Sequence, residues 1–168
     1  MPTSLQFSHE FPFSAARYVD VFFDPSFIES LARDQPDLDE YRIEVLENTD
    51  DRLLRTIKVA PRIQLPRSVQ LVLRGRRISW LETTSHRRDS DTHHWSILTN
   101  VLTEKVQIGG TYVLEDLGAG RCRRTVLGQI AVRSYAFGAT IEERIAQQIQ
   151  DSFTAGRPRM IAYAAGER

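Results

Sequence analysis

The sequence predicts an α+β fold: a curved antiparallel sheet of about seven strands wrapped around a long C-terminal helix, with two short helices after the first strand. Three observations predict it. Alternation of apolar and polar residues with a period of two opens the chain and dominates its middle. Two short amphipathic runs interrupt that alternation early. Near the end, SYAFGATIEERIAQQIQDSF (Ser134 to Phe153) carries Ile141, Ile145, Ile149 and Phe153 at every fourth position, with Glu142, Glu143, Arg144, Gln147, Gln150 and Asp151 elsewhere.

Each element has its own justification. Leu5, Phe7, His9 and Phe11 alternate with Gln6, Ser8 and Glu10, which predicts a half-buried strand that Pro12 ends. Ser14 supplies a side-chain cap for a helix through Phe23, with Tyr18, Val19, Phe22 and Phe23 on its apolar side. Asp24-Pro25 restarts the chain into a second short helix, Ser26 to Arg33. YRIEVLEN and RLLRTIKVAPRI, separated by Thr49-Asp50-Asp51, predict a hairpin. In LPRSVQLVLRGRR, Pro66 marks a helix start and Gly75 a stop. RISWLETTSH, THHWSILTNVLT, VQIGGTYVLEDLG and RCRRTVLGQIAVRSY then follow as a meander, with turns at Arg87 to Asp91 and at Gly118-Ala119-Gly120.

The final helix is expected to run straight from Thr140 to about Ala155. Gly156 and Pro158 then predict a kink or restart through Met160, Ile161 and Tyr163. Its four-residue stripe drifts by about 40° per step, so it can follow a curved sheet. Gly128 shares a face with Val126, Ile130 and Val132, where a glycine would let the helix backbone approach closely.

Composition narrows the function classes. The chain has 168 residues, 41% hydrophobic and 26% charged, which predicts one globular domain over residues 1–168. Lys+Arg and Asp+Glu are both 22, and arginines are not interleaved with aromatics, so no nucleic-acid partner is expected. Cys122 is the only cysteine, consistent with a reducing, cytoplasmic setting. MPTSLQFSHEF lacks the basic start and apolar run of a secretory signal, and no apolar stretch reaches the roughly 18 residues of a membrane span.

In element order and in several local segments the chain resembles the START-like (helix-grip, SRPBCC) superfamily, which also includes the birch pollen allergen fold. LPRSVQLVLRG, ISWLE, GGTYVLEDLGAGRCRRTVLGQIAV and FGATIEERI are similar to segments of a bacterial branch of uncharacterised START-like proteins. The resemblance implies a cavity between sheet and helix that holds an apolar small molecule such as a lipid, sterol or polyketide; some members are cyclases or hydrolases.

No nucleophile elbow, phosphate loop, dinucleotide fingerprint or zincin motif occurs. SHRRDSDTHHW holds His86, His93 and His94 with Asp89 and Asp91, but neighbouring histidines in a strand point to opposite faces. A solvated hairpin tip is therefore expected, with no metal and no cofactor. Cys122, beside Arg121 and Arg123, is expected to be inert.

The expected ligand-binding residues are His9, Phe11, Arg55, Ile57, Trp80, Glu82, Trp95, Tyr112, Phe137, Ile145, Ile149 and Phe153. The aromatic members have core packing as their structural alternative. His9 is either a core histidine satisfied by a backbone carbonyl or a polar group orienting a ligand. Arg55 lies in register with Leu53, Ile57 and Val59, and Glu82 with Ile78 and Trp80. Either these two charges meet inside the pocket or their strands face the other way.

The 62–77 segment carries Val69, Val72 and Leu73 in one apolar stripe flanked by Arg62, Arg67, Arg74, Arg76 and Arg77. Arg67, Val69, Val72, Leu73 and Arg74 are its candidates for a lid or for transient contact with an anionic membrane. Alternatively, the segment simply packs at the sheet edge. The leading expectation is a carrier of a hydrophobic small molecule. The alternatives are a cyclase- or hydrolase-like enzyme using His9 or Glu82 as acid or base, and an interaction or stress-response module with a filled core.

Overall fold

The computed structural model describes residues 2–33, 35–62, 64, 67–133 and 138–167, and the side chains of all of these except 68, 69 and 72. The chain runs β1 (Thr3–Phe11), α1 (Ala15–Phe22), α2 (Pro25–Arg33), β2 (Leu38–Asn48), β3 (Arg52–Pro61), α3 (Arg67–Val72), β4 (Trp80–Arg87), β5 (Thr92–Thr99), β6 (Val106–Gly118), β7 (Arg121–Val132) and α4 (Gly138–Ala164). All seven strands form one antiparallel sheet in the order β1-β7-β6-β5-β4-β3-β2. The expected fold class is the observed one.

Consecutive strands pair from β2 to β7, so the meander is built from local hairpins. The exception is β1, which crosses to the far side of β7 and leaves β1 and β2 as the edges. Alternation decides the facing. Leu5, Phe7, His9 and Phe11 of β1 stand on the concave side with Val126, Ile130, Tyr112, Trp95, Arg55 and Ile57. The Ser14 hydroxyl caps α1 by accepting from the Arg17 amide at 3.2 Å.

Helix backbones pack over only part of this concave face. The α4 backbone lies on β1 and β7, α1 on β6 and β7, and α2 on β2. Two apolar clusters result. The larger joins Leu5, Phe11, Tyr18, Val126, Ile149 and Met160; the smaller joins Ile28 of α2 to Ile57 and Val59 of β3.

Four expectations are corrected. First, α4 is one continuous helix through Pro158. A mid-helix proline costs about 3 kcal/mol. Tertiary packing beyond it offsets that cost: Met160 is buried, Tyr163 packs on Phe27, and its hydroxyl donates to Asp24 Oδ2 at 2.9 Å. Second, the group that approaches Gly128 is a side chain rather than helix backbone. A Cβ there would meet Trp95 Cζ2 at 2.5 Å and Leu5 Cγ at 3.1 Å.

Third, the apolar stripe of α4 does not include Ile141, which is 40% exposed. Glu142 turns inward instead, accepting from the Val132 amide at 2.7 Å and from the Thr3 amide and hydroxyl at 3.1 and 2.9 Å. It thus ties α4 to β1 and β7. Fourth, His86 and His93 do not sit in a solvated turn. Both face inward and are buried; only His94 points out.

Candidate functional site

The concave face is floored in its middle by β3, β4 and β5, over which no helix backbone packs among the described residues. Inward-facing Trp80, Glu82 and Thr84 of β4 and Ile97 of β5 are therefore only half-buried, although their neighbours Ile57 and Arg55 are buried. The result is a shallow trough in which the apolar surfaces of Trp80 and Ile97 alternate with polar Glu82 and Thr84 on the same face. An open groove of about 360 Å³ runs alongside, between α2 and β2, and its lining includes Ile28, Tyr41 and Ile43.

Arg55 is 6% exposed, and among the described residues its charge is held without a carboxylate. It donates to the Phe22 carbonyl at 3.1 Å and to the Tyr41 hydroxyl at 3.2 Å, and its guanidinium lies 4.2 Å above the Phe22 ring. Glu82 is engaged separately, accepting from Trp80 Nε1 at 2.9 Å. Neither alternative left open by the sequence is the observed one: both side chains face inward, yet the two charges form no ion pair. Burial pushes the Tyr41 phenol upward, against the opposing pull of Arg55.

On the other side of the sheet, His9 is satisfied by side chains rather than by a backbone carbonyl. Its Nδ1 lies 3.0 Å from Arg124 Nη2 and its Nε2 lies 3.1 Å from Thr154 Oγ1 of α4. Burial lowers its pKa, and the Arg124 and Arg157 charges lower it further. Arg124, 4% exposed, also donates to the Tyr18 hydroxyl at 2.9 Å and faces the Phe153 ring at 4.6 Å. Among the three arginines of its segment, RCRRTV, residue type did not distinguish Arg124 as the inward one. The alternation with Cys122 and Val126 was the signal available for it.

A row of stacked rings joins the two sides. His86 lies on His93 at 3.9 Å between centroids, and His93 on Tyr112 at 4.3 Å, each pair within 10° of parallel. Burial pushes His93 down to about 3, helped by neighbouring His86, and lowers His86 as well. Tyr112 is driven well up, first by burial. Cys122, fully enclosed, is raised to about 11, which keeps it a thiol rather than a nucleophilic thiolate.

The sequence matches the family described as "Protein of unknown function (DUF2505)" over residues 6–159. The chain belongs to the DUF2505 family. No curated protein matches it. Its fold is that of the START/SRPBCC superfamily, as several solved structures show. Norcoclaurine synthase from Thalictrum flavum, solved with dopamine and hydroxybenzaldehyde, superposes with a TM-score of 0.65 at 10% identity, covering 100% of this chain and 89% of that one. The Zhui aromatase/cyclase from Streptomyces sp. R1128 gives 0.62 at 12% identity, over 98% and 94% of the two chains. A START superfamily protein from Mycobacterium smegmatis gives 0.58 at 10% identity, over 94% and 96%.

Within this DUF2505 chain the expected site residues divide by position. Trp80, Glu82, Arg55 and Ile57 gather at the trough. Phe11, Trp95, Tyr112 and Ile149 are buried in the larger cluster, with Ile145 and Phe153 half-buried at its margin. Phe137 and the side chains of Val69 and Val72 lie outside the described residues. Of the other expected lid residues, Arg67 and Arg74 are exposed and Leu73 is buried. Among the described residues no helix is long and apolar enough to cross a membrane, and no cluster of side chains is arranged to hold a metal.

Proposed function

We propose that the protein binds a hydrophobic small molecule, of lipid, sterol or polyketide-like character, over the trough floored by β3–β5. The observation that supports this most is the incomplete burial of inward-facing Trp80 and Ile97, near a groove of about 360 Å³ whose lining joins Ile28, Tyr41 and Ile43 with Glu29 and Arg42. Apolar surface left open on the inner side of a curved sheet is suited to a ligand that covers it. Covering it contributes roughly 25 cal/mol per Å² of apolar area removed from water. Glu82 and Arg55 orient the ligand from the rim.

Access is controlled in this reading by the 62–77 segment. The α3 backbone packs on no other element among the described residues, and Leu71 is 79% exposed between the arginines at 67 and 74. Positive φ at Arg74 (50°) and Gly75 (73°) makes a sharp turn after the helix. Beyond it, Asn100 clamps the chain by donating to the Arg77 carbonyl and accepting from the Ser79 amide, each at 2.8 Å. An exposed leucine among arginines also suits transient contact with an anionic membrane.

Native mass spectrometry of the protein purified from its own host, with solvent extraction of co-purifying material, tests the reading. A stoichiometric apolar adduct supports it. A clean apo mass together with no uptake of fluorescent fatty-acid or sterol probes overturns it.

A further inference from the structure

The ring row across the concave face contains a set of polar atoms that the fold leaves unused. Among the described residues, Nδ1 of His86, both ring nitrogens of His93, the Tyr112 hydroxyl and Nε of Arg124 are buried and have no hydrogen-bond partner. The Asp91 main chain is near enough to His93 to be felt, but does not bond to it. Tyr18 is likewise a polar neighbour of Tyr112, and the Thr92 main chain of His86, but neither is placed for a well-formed hydrogen bond. Buried polar groups are nearly always paired in folded proteins, so five orphaned atoms on adjoining strands require a reason.

Their chemistry points one way. Arg124 Nε donates only, the phenol can donate, and the neutral His93 ring offers one N–H beside one acceptor nitrogen. Two buried guanidiniums flank Tyr112 through the rings of α1: Arg55 lies 4.2 Å from the Phe22 ring and Arg124 5.7 Å from the Tyr18 ring, each ring 6.1 Å from Tyr112. Their bonded partners are neutral oxygens and an imidazole nitrogen, and neither pairs with an acidic side chain among the described residues. Glu82 is taken up by Trp80. Among the described residues the row therefore has two flanking positive charges and spare donors, with no carboxylate bonded to them.

We propose that this row recognises the head group of the ligand, and that the head group is a carboxylate. The inference rests on the binding reading above and adds the ligand's chemical class: an amphipathic acid rather than a neutral apolar molecule. Placement agrees, because His86 and His93 stand one step along the same strand faces from Thr84 and Trp95. An apolar body over the trough thus brings its end to the row. Phe23 stacks on His93 and Phe22 covers Arg55, so the α1–α2 corner must shift for the head group to arrive. On arrival the carboxylate replaces the Phe22 carbonyl and ring as the partner of Arg55, and takes donors from Arg124 and Tyr112.

The test compares cis-parinaric acid with its methyl ester by fluorescence titration of the full chain near neutral pH. The native protein should prefer the acid by about tenfold or more, the scale of a charge-assisted hydrogen bond. Tyr112→Phe removes an orphaned hydroxyl while keeping the stacked ring, so the variant should fold with an undiminished melting temperature and lose most of the preference. Arg124→Gln should lose the rest. Equal binding of acid and ester by the native protein overturns the carboxylate assignment and leaves apolar binding standing. Preference unchanged in both variants overturns the role of the row. Binding of neither probe overturns the binding reading and this inference with it.

Discussion

Arg124 Nη2 sits 3.0 Å from Nδ1 of His9, and a guanidinium nitrogen can only donate. The geometry therefore makes Nδ1 the acceptor and places the proton of the neutral ring on Nε2, which donates to Thr154 Oγ1 at 3.1 Å. Nitrogen-detected NMR should show the Nε2–H tautomer of His9 at neutral pH. The ring should titrate below its ordinary 6.5, because burial and the two arginines oppose the imidazolium. Arg124→Gln should raise that pKa; a titration unmoved by the substitution would contradict the contact.

The stacked histidines predict an acid-side loss of stability. The unfolded chain protonates His93 near 6.5, whereas the folded chain resists until about 3. Its stabilising contribution is therefore fully present above 6.5 and falls steadily as pH drops toward 3, by about 2–3 kcal/mol over the first two pH units. Urea denaturation of the native protein and of His93→Phe at about pH 7.5 and 4.5 measures it. The variant should lose markedly less between the two conditions.

Two inward glycines on adjacent strands should differ in tolerance. A Cβ at Gly128 would press on the rim of the Trp95 indole and on Leu5, both side chains that can shift. A Cβ at Gly110 would run into the Leu127 carbonyl and the Gly128 backbone. Gly128→Ala is expected to cost about 1–3 kcal/mol as overpacking, and Gly110→Ala more. Parallel chemical denaturation of the two variants checks the order.

Pro158 is exposed on a helix that continues past it, so its replacement should stabilise the protein. Pro158→Ala restores an amide donor and removes a clash, for an expected gain of about 1–3 kcal/mol. A thermal midpoint that falls would show that the proline shapes the packing of Met160 and Tyr163 on α1 and α2.

Glu142→Gln should loosen the joint between α4 and the sheet. The carboxylate is held below its usual range, first by the Val132 amide and then by Thr3. Hydrogen exchange at the Val132 and Thr3 amides should speed up in the variant. In the native protein the same amides should become labile as pH falls through the lowered carboxylate pKa.

Most of the architecture is a local property of the sequence. Period-two alternation decided which residues of β1, β3 and β7 face inward, because a strand turns its side chains by strict alternation. Turn residues at Thr49 to Asp51 and at Gly118 to Gly120 decided the hairpins, and the α4 repeat decided that a helix closes the fold. Inward placement of His9 was legible for the same reason, whereas the facing of Arg55 and Glu82 was left open by the sequence.

Partnership was decided by the tertiary structure alone. Alternation states a side chain's face but not how far the opposing group stands, and that distance depends on sheet curvature and on where each helix lands. Arg55 and Glu82 share a face yet are taken by Phe22 and Trp80. Trp95 rather than α4 fills the space over Gly128. His86 and His93 stack because antiparallel register sets them opposite one another. The helix passes Pro158 because residues beyond it pack on α1 and α2, a contact made across more than 130 positions of chain (Asp24 to Tyr163, a separation of 139). Periodicity is a property of neighbours in sequence, and these contacts are not.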